Sequence, residues 1–249
     1  MKGLVWLRTD LRMDDNPALK NAFIECHEIV CLYFYSSKQL DLHSEANVKV
    51  DFLKRNLGNL QSNLKNVNVN LWVVDSIGFD GEADKLKEIT ELNNIDKVYT
   101  NSQFGIDENV RDEGVRSSLS KILVDYQSFN DQIIYEPGFL KTGQGNPFSV
   151  FTPFKRRWVE NFDMKFLDID FNYVTKEKNA FSNKPELSDL NFIVTHAVDM
   201  CIWPEGESAA LERLKDFLNL KAERYSEDRN DPIIDGTSRI SPYLALGII

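Results

Sequence analysis

The sequence predicts an α/β fold, and three features carry that prediction. Short apolar runs at 3–8, 29–35, 69–74 and 97–100 are rich in β-branched and aromatic residues, as buried strands are. Between them lie stretches of helical length with apolar residues three and four apart. The alternation stops after Pro137, and a helical period returns clearly at 209–220. Strands alternating with helices on this scale imply right-handed βαβ crossovers and a parallel sheet. The expected architecture is a Rossmann-like five-stranded parallel sheet with flanking helices, then a linker, then the start of an all-α domain.

Taken in order, Gly3-Leu4-Val5-Trp6-Leu7-Arg8 is a strand ending in charge, and Asn16-Pro17 closes the loop before a short helix at 18–26. Cys31 falls inside the second strand and reads as a buried core thiol. Val50, Phe52, Leu53, Leu57, Leu60 and Leu64 predict a long helix at 46–65. The third strand, a helix at 82–93, the fourth strand and a helix at 108–123 follow, and Ile133-Ile134-Tyr135 supplies the fifth strand. Gly143-Gln144-Gly145 lacks the third glycine and the strand-to-helix setting of a dinucleotide loop, so it reads as a plain loop. A helix at 151–162 carries Lys155-Arg156-Arg157, and the polar stretch 163–191 reads as an interdomain linker. The expected domains are 1–135, a closing helix and linker at 136–200, and an incomplete helical domain at 201–249.

A chain of 249 residues with 42% hydrophobic content can bury a sizeable core. Its net charge of −10 argues against a dedicated nucleic-acid-binding domain, although Lys155-Arg156-Arg157 forms a local basic patch. Three cysteines without metal spacing indicate a reducing compartment and no metal site. No apolar run approaches the roughly 20 residues that span a bilayer. A cytoplasmic protein without a membrane segment is expected. His27, His43 and His196 are isolated, and no Ser-His-Asp order, P-loop or HExxH occurs.

The chemistry is concentrated at 236–242, Gly-Thr-Ser-Arg-Ile-Ser-Pro, directly before an apolar helical run. Ser241-Pro242 reads as a helix start, with the serine as cap. Hydroxyls and a guanidinium at a helix N-terminus make a phosphate site. Tyr225 and Arg229 precede it and on residue type alone read as a surface tyrosine and part of a solvated charge run. After the fourth strand, Asp107 and Glu108 open a helix, where carboxylates commonly offset the dipole. Arg8, Asp10 and Arg12 read as an ion-pair network pinning the first loop, and Trp6, Tyr33, Phe34 and Tyr35 as core.

Four stretches in register resemble the DNA photolyase/cryptochrome family. They are 4–12 with Asp15–Leu19 behind it, Phe148–Lys155 after Pro137-Gly138, Trp203–Glu207, and the closing Thr237–Ser241 motif. The resemblance implies FAD held by Tyr225, Thr237, Ser238, Arg239, Ile240 (through its backbone) and Ser241, with Arg229 facing DNA. It implies a methenyltetrahydrofolate antenna gripped at Asp107 and Glu108. Asp107 stands where the family has asparagine, and an ionised aspartate only accepts hydrogen bonds.

The implied activity is light-driven splitting of cyclobutane pyrimidine dimers in damaged DNA by an electron from reduced FAD. Position and electrostatics come from the protein, and no catalytic side chain is assigned. A blue-light sensory cryptochrome shares these motifs. A truncated, non-catalytic α/β module binding an antenna cofactor or a partner chain is a third alternative. Most of the family's FAD contacts would lie beyond Ile249. The chain alone is therefore expected to bind FAD poorly, to expose Leu244, Leu246, Ile248 and Ile249, and to need a complementary C-terminal polypeptide.

Overall fold

The computed structural model describes residues 1–76, 78–167, 171–176, 181 and 199–249. Five parallel strands, β1 (Lys2–Leu7), β2 (Glu28–Tyr35), β3 (Asn70–Asp75), β4 (Lys97–Asn101) and β5 (Asp125–Phe129), form one sheet in the order β3-β2-β1-β4-β5. The period of two along β1 divides the core. Val5 and Leu7 face one side with α1 (Pro17–Glu25), a short α2 (Ser37–Leu42) nearby and α3 (Asn47–Asn66). Leu4 and Trp6 face the other side with α4 (Phe79–Asn93) and α5 (Ile106–Ser120). Asn16 caps α1 by accepting from Leu19 N at 3.1 Å, and Pro17 opens the helix where its missing donor costs nothing. Cys31 is fully buried, as expected, and burial pushes its thiol pKa far up.

The fifth strand lies elsewhere than the sequence suggested. It is Asp125–Phe129, paired with β4 from Lys97↔Asp125 to Asn101↔Phe129, and α5 ends at Ser120 rather than near 123. An edge strand has one neighbour and half-buried faces, so Tyr126 and Phe129, separated by Gln127 and Ser128, each pack on a different side of the sheet instead of forming an apolar run. The apolar triplet at 133–135 turns away, and Tyr135 packs on Trp158 of α6 (Phe151–Glu160). The Gly143–Gly145 stretch is a turn, closed by Thr142 N donating to Asn146 O at 2.8 Å.

Much of the expected linker, and His196, lie outside the described residues. The part that is described is not loose. Phe171 and Tyr173 pack edge-on at 4.8 Å against the core, and the Tyr173 hydroxyl donates to Met13 O at 2.5 Å. Lys176 Nζ donates to Phe23 O and Cys26 O, at 2.6 and 2.8 Å, closing the C-terminal end of α1.

The final segment holds α7 (Glu207–Leu220), a one-turn α8 (Tyr225–Asp228) and a short α9 (Ser241–Leu246). It docks back on the sheet. Tyr243 is fully buried, its ring edge-on to Phe52 at 5.2 Å and its hydroxyl donating to Pro204 O at 2.6 Å. Ile248 is buried in the same cluster, with Leu246 and Ile249 packed against it. Of the four apolar side chains expected to be exposed only Leu244 is largely so, while Leu218, Leu220 and Ile233 earlier in the segment are exposed. Leu11 N donates to Leu246 O, and Arg12 Nη1 to Gly247 O, both at 3.2 Å. Gly247 has φ +63°, and a Cβ there would fall 1.9 Å from Thr9 O, so only glycine permits this approach.

Candidate functional site

The loops at the carboxyl ends of β1 and β4 meet where the strand order reverses, the usual ligand position in such sheets. The β1 loop is built around buried charge. Arg8 Nη1 reaches both oxygens of Asp112 at 2.6 and 2.8 Å, and its Nη2 donates to Asn101 O. Asp10 accepts from Arg8 N at 2.5 Å and from Asn101 Nδ2 at 2.7 Å, so its partners are amides rather than the neighbouring guanidiniums. Arg12 pairs with Asp131 at 2.5 Å. The network expected of Arg8, Asp10 and Arg12 exists, but its ionic partners, Asp112 and Asp131, are remote in sequence.

Two openings share this edge. A cleft of about 610 Å³ is bordered by Thr9, Arg12, Gln103, Glu108 and Asp131, with Gly247 and Ile249 of the tail closing it. A smaller pocket of about 200 Å³ is floored by Trp6, Tyr33 and Phe34 and walled by Arg8, Glu82, Glu108 and Arg111. The Arg8 and Arg111 guanidiniums lie 4.7 and 4.8 Å from the Trp6 ring centroid. Burial raises the Glu82 carboxyl, opposed by Arg111 at 3.6 Å, and likewise raises Asp131, opposed by Arg12. Of the expected antenna pair, Glu108 borders both openings, its carboxylate folded over Gly105. Asp107 is exposed and borders neither. Sequence reasoning missed Arg111, whose position three residues after Glu108 on the same helix was the available signal.

The second site lies in the helical segment. Thr237 and Ser238 line a cleft of about 220 Å³ with Arg213, Lys221, Glu212 and Asp216, and Pro204 and Phe217 supply its apolar wall. Arg213 Nε is buried with no hydrogen-bond partner among the described residues, an orphaned donor beside the cleft. The Arg213 guanidinium stands 5.2 Å over Trp203 and donates from Nη2 to Ile202 O. Arg239 has φ +52°, a left-handed conformation that side-chain-bearing residues adopt at a cost of about 1–2 kcal/mol and that recurs at ligand clamps. That turn starts α9 at Ser241, with Ile240 as the flanking residue and Pro242 in the first turn. Ser241 is therefore a helical residue without a capping bond, not the cap expected.

The remaining predicted residues sit on the neighbouring turn. Tyr225 packs edge-on against Phe217 at 5.6 Å, and the exposed Arg229 lies 5.5 Å from the Tyr225 ring. The structure thus brings Thr237 and Ser238 to one cleft and sets Tyr225 behind its Phe217 wall. Arg213 and Lys221, 24 and 16 residues before Thr237 in the sequence, join by tertiary placement. The donor set of two hydroxyls, an orphaned guanidinium N–H and an ammonium fits the phosphate portion of a dinucleotide.

No helix among the described residues is long and apolar enough to cross a membrane, and no group of three metal-ligating side chains occurs among them.

Comparison with known proteins gives a consistent picture. The DNA photolyase family model matches residues 3–173. A deoxyribodipyrimidine photo-lyase of Vibrio cholerae is 30% identical over 99% of this chain and 52% of its own length. The crystal structure of a bacterial class III photolyase from Agrobacterium tumefaciens superposes with a TM-score of 0.80 at 26% identity, over 100% of this chain and 51% of that one. An archaeal photolyase from Sulfolobus tokodaii with two FAD molecules shares the fold, at TM-score 0.73 and 20% identity over 100% of this chain and 53% of its own. The chain spans about half the length of the relatives it matches. The family match over most of the chain, together with the parallel sheet, shows that the chain belongs to the DNA photolyase family.

Proposed function

We propose that the protein carrying this chain is a deoxyribodipyrimidine photolyase, and that this chain supplies its antenna-type α/β domain and one wall of its FAD site. The observation that carries the reading is the convergence of Thr237, Ser238, Arg213 and Lys221 on one cleft beside the strained Arg239 turn. In this reading Thr237 and Ser238 donate to phosphate oxygens, and Arg239, Lys221 and Arg213 supply positive charge. Ile240 and Ser241 contribute backbone at the start of α9, Tyr225 buttresses the wall, and Arg229 meets the phosphate backbone of damaged DNA. Reduced FAD, when bound, supplies the light-excited electron that splits a pyrimidine dimer. The chain's own residues orient that group and hold counter-charge around it.

The cleft of about 610 Å³ beside Glu108 lies in the size range of small-molecule sites and is the proposed antenna position, with methenyltetrahydrofolate as ligand. Asp107, outside that cleft, is left a dipole role. The division near 135 and 200 is supported by the end of the sheet at Phe129 and by α7 opening at Glu207. A complementary C-terminal polypeptide is proposed to complete the FAD site, in keeping with relatives about twice as long.

Illuminating the natural protein with reduced FAD and a dimer-containing oligonucleotide tests the reading. Loss of dimers only in the light is expected, together with reduced flavin retention in the Thr237→Ala, Ser238→Ala double variant. Retained, photoreducible FAD with no dimer loss would replace repair by blue-light sensing. Absence of flavin binding would overturn both.

A further inference from the structure

The phosphate reading of Thr237 and Ser238 leaves a carboxylate at the rim of their cleft unexplained. Asp235 accepts from Lys221 Nζ at 2.7 Å through Oδ2 and pairs with Arg239 Nη2 at 2.8 Å through Oδ1. The Lys221 ammonium holds the Asp235 carboxyl below the usual carboxylate range, with Arg239 adding to the effect. Gly236, the next residue, is pressed on α8: a Cβ there would lie 2.5 Å from Asp228 Cβ and 3.1 Å from its carbonyl carbon. The tight turn at Gly236 therefore fixes Asp235 and Thr237 on either side of one point. One carboxylate pairs with two cations beside two hydroxyls.

We propose that Asp235 is the resident counter-ion of this cradle: it holds Lys221 and Arg239 beside Thr237 and Ser238 until a diphosphate takes those cations over. The inference rests on the phosphate-site reading and adds to it a competing group within the chain. Both pairs are solvent-accessible, with 53% of the Asp235 side chain exposed and 42% of Arg239, so their exchange for another anion is easy. A diphosphate brings more charge and more acceptor oxygens than a carboxylate, and it also engages the hydroxyls. Asp235 therefore keeps the cations ordered and discriminates against weak monovalent anions, at the cost of some affinity for the true ligand.

Titrating the full chain with inorganic pyrophosphate by calorimetry tests this. Asp235→Asn is expected to bind about fivefold tighter than the natural chain, a gain that shrinks at high salt because exposed charges are screened. Asp235→Glu, which keeps the charge, should stay close to the natural affinity, and Lys221→Ala or Arg239→Ala should weaken binding in either background. Glu227→Gln removes a carboxylate of the neighbouring turn and should change affinity by less than about twofold. Pyrophosphate binding that depends on Lys221 and Arg239 but is not tightened by Asp235→Asn overturns the counter-ion role and leaves the phosphate site standing. An equal gain in Glu227→Gln overturns it as well, by showing a general charge effect. Binding that depends on neither cation overturns both readings. Asp235→Ser serves the same comparison if the asparagine variant does not fold.

Discussion

In the α/β half, the guanidiniums at the carboxyl edge of the sheet are buried. Arg8 and Arg111 leave only 7% and 4% of their side chains exposed, and each is matched by Asp112, Glu82 or backbone oxygen. In the segment from 201 onward, Asp235 and Arg239 beside the proposed phosphate site are about half in solvent, and α7 buries only Ala210. Buried pairs are rigid and costly to break, whereas exposed pairs are weak and exchangeable. The first region is thus built to keep its shape and the second to trade partners. The second region also borrows its order, through Tyr243, Ile248 and Glu207, from the first.

The contrast is broken most severely by Asp112→Ala. Arg8 and Arg111 would both lose their shared carboxylate in the interior, and a loss of about 3 kcal/mol is expected in urea unfolding. Arg239→Ala, by comparison, should leave unfolding nearly unchanged. Gly247→Ala comes next. Its Cβ collides with Thr9 backbone, so about 2–3 kcal/mol of tail docking should be lost. Limited proteolysis should then cut near α9 while the sheet survives.

Glu207 sharpens the comparison, because it is the charged group through which α7 meets the first loop. Its Oε1 accepts from Met13 N at 2.6 Å and Asp14 N at 3.1 Å. Burial pushes the carboxyl up to about 7 from 4.5, with the two backbone N–H groups and Arg12 opposing, Asp14 raising it further, and Tyr173 of the 171–176 stretch nearby. Because the folded value is the higher one, the contribution to stability is fully present below about pH 4.5. It is lost as pH rises toward 7. Glu207→Gln keeps an acceptor without the charge. The difference in melting between it and the natural chain should therefore grow from pH 5 to 7.5, reaching on the order of 2 kcal/mol. A flat difference would reject the assignment. The smallest change is Gly114→Ala: a Cβ meets nothing within 4 Å in α5, so thermal melting should show a gain of about 0.5–1 kcal/mol.

Four strands and the main helices were legible because apolar period and element length coincide in a buried parallel sheet. The fifth strand was not, since Asp125–Phe129 borders solvent and its pattern is mixed, while the apolar triplet at 133–135 has a tertiary use. The cleft proposed to hold phosphate was legible only as Thr237 and Ser238, whose residue types suggested that chemistry. Ser241 misled because the left-handed Arg239 shifts the helix start by one residue, a feature no propensity announces for arginine. Arg213, Lys221, Asp112 and Asp131 were missed for a common reason: their roles arise from contacts across long stretches of chain.

The loop at 9–16 takes partners from Asn101, Asp131, Tyr173, Glu207, Leu246 and Gly247, the last across a separation of 235 residues. Contacts so distant along the chain form late, because closure entropy must be overcome before they stabilise anything. During synthesis the sheet can assemble once Phe129 has emerged, yet its first loop stays unfinished until Gly247 follows. For that interval the carboxyl edge of the sheet is open, and the cleft beside Arg12 lacks the wall that Leu244, Gly247 and Ile249 give it.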